Sequence, residues 1–71
     1  MAEEIRAELV ADVVKILVAE GDRVVEGETL IILESMKMDI PILAERSGRV
    51  IELAVNEGDV IQEGDLIAVV E

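Results

Sequence analysis

Glu20-Gly21-Asp22-Arg23-Val24-Val25-Glu26-Gly27-Glu28 returns 37 residues later as Glu57-Gly58-Asp59-Val60-Ile61-Gln62-Glu63-Gly64-Asp65. Sliding the whole 71-residue chain by that step aligns 5–34 with 42–71, and eleven of the thirty positions are identical. Beyond the glycines and acids of the quoted stretch, Ile5 meets Ile42, Ala7 meets Ala44, Glu8 meets Glu45, Val13 meets Val50, Val18 meets Val55 and Glu34 meets Glu71. Other pairs stay aliphatic, among them Val14/Ile51, Ile16/Leu53, Val24/Ile61, Leu30/Ile67 and Leu33/Val70. Self-similarity at a fixed step marks a repeated structural unit. Because glycines and acids hold register as well as aliphatics, biased composition does not explain it.

Each Glu-Gly pair reads as a turn, since glycine adopts backbone angles that other residues avoid. Between the turns lie short aliphatic runs at 13–18, 23–25, 29–33, 50–55, 59–61 and 65–70. Val, Ile and Leu number 11, 9 and 7, so 20 of these 27 residues are β-branched and suit pleated strands. Short strands at this spacing predict an all-β domain. The expected architecture is a flattened barrel-sandwich of two four-stranded antiparallel sheets. Two halves of about four strands each are related by a pseudo-twofold axis, and one domain spans 1–71.

Composition removes whole classes of function. The chain has no Cys, no His and no aromatic residue. It therefore lacks a thiolate nucleophile, the commonest general base and metal ligand, and the stacking platforms of single-strand binders. A net charge of −11 repels phosphate, so nucleic acid is an unsuitable partner. No aliphatic run approaches 18 residues, so no helical membrane span is expected. Met1-Ala2-Glu3-Glu4 is acidic and lacks a secretory pattern, which makes the cytoplasm the expected compartment. No metal site is expected. Carboxylates and two lysines, Lys15 and Lys37, are a poor inventory for catalysis, so the chain is not expected to be an enzyme.

Seven residues stand outside the repeat: Ser35-Met36-Lys37-Met38-Asp39-Ile40-Pro41. They join the last strand of the first half, 29–34, to the first of the second, about 38–43. So short a connection predicts a central hairpin over 35–41 with Lys37 at or near its tip. A non-repeated insert at a tight turn is where function is expected. Met36 and Met38 flank Lys37 and are two of only three methionines. A bland reading remains open: a solvated turn lysine with both methionines folded back onto the sheet edges.

Glu34-Ser35-Met36-Lys37-Met38, set at the central hairpin of such a repeat, resembles the attachment motif of the biotinyl/lipoyl-attachment family. The resemblance covers essentially the whole chain and is nearest to the family's free-standing, single-domain biotin/lipoyl attachment proteins, which are similar to biotin carboxyl carriers. It departs at Ser35, where Ala is usual, at Ala11, where many members have Gly, and at Glu8 and Glu45, where many have Pro. No insertion of the kind that forms a protruding thumb lies between Val18 and Leu30.

The resemblance implies a biotin carboxyl carrier. Lys37 would be acylated on its ε-amine by a biotin protein ligase. The biotin would then swing CO2 between biotin carboxylase and carboxyltransferase components. It implies ligase-recognition and packing roles for Met36 and Met38, and lesser motif roles for Glu34 and Ser35. Pro41 is expected to be structural, and Lys15, in a strand, is the lysine a ligase should ignore. Two alternatives stay open. One is a lipoyl carrier, or an acceptor of either lipoate or biotin, though Met-Lys-Met favours biotin. The other is an unmodified interaction module of the same fold.

Overall fold

A computed structural model describes residues 2–71 and contains eight strands. They are β1 (Glu3–Arg6), β2 (Ala11–Ile16), β3 (Arg23–Val24), β4 (Thr29–Ser35), β5 (Met38–Leu43), β6 (Gly48–Leu53), β7 (Val60–Ile61) and β8 (Leu66–Val70). They form two antiparallel four-stranded sheets, ordered β1-β8-β6-β3 and β5-β4-β2-β7. The expected sandwich is present.

A step of 37 residues converts β1, β2, β3 and β4 into β5, β6, β7 and β8, and so converts one sheet order into the other. Each sheet thus takes two strands from each half. The pseudo-twofold exchanges the sheets, and neither half can bury its apolar face without the other.

Core pairs follow the repeat. Val13 and Val50, Leu30 and Ile67, and Leu33 and Val70 are all at most 2% exposed. No polar or charged residue is wholly buried among the described residues. Two strands start and stop two residues earlier than the aliphatic runs suggest: Ala11–Ile16 against 13–18, and Gly48–Leu53 against 50–55. Val18 and Val55 pack onto the core from the connections instead. Burial is therefore not limited to laddered residues.

The repeated Glu-Gly-Asp turns are stitched across the halves. Gly21, Gly27, Gly58 and Gly64 have φ between 89° and 94°, the region that favours glycine. The Gly21 amide donates to Val50 O and Gly58 to Val13 O; Gly27 donates to Ala44 O and Gly64 to Ala7 O. Asp22 and Asp59 close their own turns by accepting the Ala19 and Asn56 amides at 2.9 Å. Glu20 and Glu57 reach into the opposite half and accept the Leu53 and Ile16 amides at 2.9 Å. These acids of the motif are structural acceptors.

Gly48 is required for a different reason. A Cβ there would lie 2.5 Å from Glu71 O and 3.1 Å from a Val70 methyl. Its repeat mate Ala11 carries a Cβ in a buried position, so the halves differ here.

Candidate functional site

β4 and β5 run antiparallel with Ser35 opposite Met38, leaving Met36 and Lys37 as a two-residue turn. Both have positive φ, 54° and 64°, and they are the only non-glycine residues among those described that do. Two positive φ values are the type I′ requirement, usually met by Asn-Gly. Here Met and Lys meet it, at a cost of about 1–2 kcal/mol each from Cβ crowding. The sequence predicted the hairpin and its tip. The strain was not readable, because the residues that normally announce this turn are absent.

The turn sits on well-fixed strands. Leu33 and Ile31 of β4 are fully buried, and Ile40 and Ile42 of β5 pack against the core. β5 is a sheet edge, and Pro41 suits it. Counting from the Ser35/Met38 pair that closes the turn, Ile32/Pro41 falls on a non-hydrogen-bonded step. The missing amide costs the ladder nothing and removes a donor from the open edge.

Lys37 projects into solvent, with Met36 91% and Met38 63% exposed. The methionines therefore do not fold back onto the sheet edges, and the packing role expected of them is not met at Met36. An exposed thioether contributes nothing to the core and is free to meet a partner. The only ion pair among the described residues is Arg6–Glu4, so none ties down Lys37. Lys15 is also exposed, but it lies in β2 opposite Ile32, held within a ladder. Exposure does not separate the two lysines; the turn does.

Glu34 and Asp39 are paired across β4 and β5, and Asp12 of β2 is paired with Glu34. The three exposed carboxylates form a row beside the turn. The two-residue turn sets Glu34 opposite Asp39, whereas Asp12 joins only through a pairing between distant strands. Ser35 is half-buried on the face shared with Leu33. No His/Cys/Asp/Glu cluster suited to a metal occurs among the described residues, nor any helix long and apolar enough to cross a membrane.

Known proteins bear on this arrangement. The family model described as "Biotin-requiring enzyme" matches residues 3–70. A curated relative, the "Biotinylated protein TB7.3 homolog" of Mycolicibacterium smegmatis, is 61% identical over 44 residues, 62% of each chain. The match thus spans about three fifths of that relative's length. Among solved structures, the Kluyveromyces lactis urea carboxylase superposes with a TM-score of 0.91 at 35% identity, covering 100% of this chain and 6% of that one. The lipoyl domain of the Azotobacter vinelandii 2-oxoglutarate dehydrogenase complex superposes with a TM-score of 0.85 at 26% identity, covering 96% of this chain and 94% of that one. With the family pattern matched from Glu3 to Val70 around a duplicated β-sandwich, the chain belongs to the biotin/lipoyl attachment family.

Proposed function

We propose that Lys37 is the attachment residue and that the chain serves a biotin-dependent carboxylase as its carrier, without catalysing a reaction itself. The observation behind this reading is the turn. One of two lysines stands at the tip of the only hairpin outside the repeat, exposed and free of ion pairs among the described residues.

Acylation needs a deprotonated amine, and a lysine of ordinary basicity is almost wholly protonated at neutral pH. The chain has no His or Cys to act as base. The base and the activated acyl donor therefore come from a biotin protein ligase. The ε-nitrogen forms an amide with the biotinyl carbonyl while the carbonyl–phosphate bond of the biotinyl-adenylate breaks. AMP leaves, and the amine proton passes to the ligase. The chain's part is presentation: a strained two-residue turn on packed strands fixes where the lysine stem begins. Met36 and Met38 offer the ligase two exposed apolar contacts, with Glu34 and Ser35 as lesser contacts. Attached biotin supplies a ureido nitrogen that carries CO2 between biotin carboxylase and carboxyltransferase components in the cytoplasm.

The likeness to a lipoyl domain supports a second reading, in which lipoate takes the same lysine. Intact mass spectrometry after co-expression with a biotin ligase separates the readings, with Lys37→Arg as control. A biotin-sized increment on the parent and none on the variant supports the carrier. A lipoyl-sized increment after co-expression with a lipoyl ligase promotes the second reading. An unmodified parent beside a modified control carrier leaves only an interaction module.

A further inference from the structure

We propose that the outer face of the sheet β5-β4-β2-β7 is the docking surface for the biotin carboxylase component that works on the group carried by Lys37. This rests on the carrier reading above.

The repeat supplies an internal comparison, because residues of this face on β2, β7 and the 40–43 part of β5 have mates on β6, β3 and β1 of the other sheet. Pro41 and Leu43 project outward from β5, alternating with the core-packed Ile40 and Ile42. Their mates are Glu4 and Arg6, which form the Arg6–Glu4 ion pair at 2.8 Å. Val60, 62% exposed, stands where Arg23 stands on the other sheet, and Leu17, 46% exposed, where Ala54 stands. Asp12 stands where Arg49 stands. The same backbone thus carries two different surfaces. Three of the four arginines lie on the outer face of β1-β8-β6-β3, and this sheet has none. Its only cation is Lys15.

The face is ordered from the hairpin outward. Asp39, Glu34 and Asp12 form the row next to the turn. Pro41, Ile32 and Lys15 form the next row, and Leu43 lies beyond. At 3.4 Å per residue, Leu43 is roughly 17 Å along β5 from Met38. Like charges directly opposite in a sheet destabilise it, and among the described residues no cation of this chain forms an ion pair with that row. A partner with lysine or arginine over the acid row and an apolar centre over Pro41 and Leu43 complements both features.

The hairpin tip offers three side chains, whereas a standard interface takes about 20–30 residues a side. Contacts must continue onto a flank. The other sheet sets charged side chains around a single exposed aliphatic in its strands, Ile51, whereas this one places Pro41, Leu43 and Val60 where the other holds Glu4, Arg6 and Arg23. A ligase has to close on the lysine nitrogen at the tip. An enzyme acting on the far end of the attached arm has its active centre displaced from the tip, so the flank is the surface it meets.

The test uses the biotin-loaded chain, its loading checked by mass, with a biotin carboxylase, ATP and bicarbonate. ADP formation is followed against carrier concentration, with free biotin run in parallel. Pro41→Glu/Leu43→Arg installs the residues that the fold already holds at the mate positions. Glu52→Lys, on the other sheet, is the control. The loaded parent is expected to saturate the enzyme at least about tenfold below free biotin. The double variant raises KM by about tenfold while the rate at saturation stays. Salt raises the parent's KM, and the control leaves it unchanged. The proposal is overturned by a double variant with the parent's KM, by a control that disturbs KM equally, or by a parent no better than free biotin. Dimerisation of the parent that the double variant abolishes, seen by sedimentation, makes a second copy the occupant and also overturns it. A chain that takes up no biotin removes the carrier reading at the mass stage, and the proposal with it. A loaded chain indifferent to the variants removes the proposal alone.

Discussion

Met36→Asn should make the protein more stable. Met36 has φ 54° and is 91% exposed, so its side chain loses almost no burial on replacement. What remains is backbone. A non-glycine residue in the left-handed region costs about 1–2 kcal/mol, and Asn tolerates that region far better than Met does. Recovering much of that cost gives a gain of about 1 kcal/mol. For a domain of this size, 1 kcal/mol corresponds to a rise in Tm of about 4–8 °C. Thermal unfolding by far-ultraviolet circular dichroism reads it directly. Met38→Asn is the comparison, since Met38 is exposed but lies in β5 without positive φ, and it should give no gain. A Met36→Asn chain that melts at or below the parent refutes the claim that the turn is strained. If the gain appears and ligase-dependent labelling falls, the methionine is retained for recognition at the expense of stability.

Three further outcomes follow from particular contacts. Gly48→Ala pushes a Cβ against Glu71 O and should cost roughly 1–3 kcal/mol by overpacking. The mate change Ala11→Gly should cost only about 0.5–1 kcal/mol of backbone entropy; equal losses in denaturant melts contradict the asymmetry. Glu57→Ala removes the acceptor for the Ile16 amide and should cost about 1 kcal/mol in an exposed setting, so an unchanged midpoint contradicts the clamp. Glu3 has its pKa raised from the ordinary 4.5, chiefly by the hydrogen bond its protonated form makes to Glu45, then by desolvation and by Glu45's charge, against the opposing charge of Arg46. Its Oε1 is buried with no partner. The folded chain therefore binds this proton more tightly than the unfolded chain does. The contribution is complete below about 4.5 and is lost as pH rises above it. Glu3→Gln should raise Tm relative to the parent at pH 7 and narrow the difference toward pH 4.5; a pH-independent difference contradicts the pairing.

The fold was legible because its determinants are local and repeated. Glycines at 21, 27, 58 and 64 announced turns, and β-branched runs announced strands. The interleaving of the halves was not legible, because strand order is a tertiary choice that the repeat step leaves open. Nor were the reach of Glu20 and Glu57 into the opposite half, the place of Asp12 beside Glu34, or the inward turn of Glu3. Each depends on register between strands far apart in sequence. The hairpin with Lys37 at its tip, the candidate site, was legible because the insert breaks the repeat. Its backbone strain was hidden, since Met-Lys carries none of the Asn-Gly chemistry that marks such turns.

The central claim is that the turn, and not exposure, selects one lysine of two. Site-resolved mass mapping of the ligase-treated parent tests it most directly, because Lys15 and Lys37 are both exposed in the same chain. The account predicts a biotinyl increment on the peptide containing Lys37 and none on that containing Lys15. Label on both lysines, or on Lys15 alone, would contradict it.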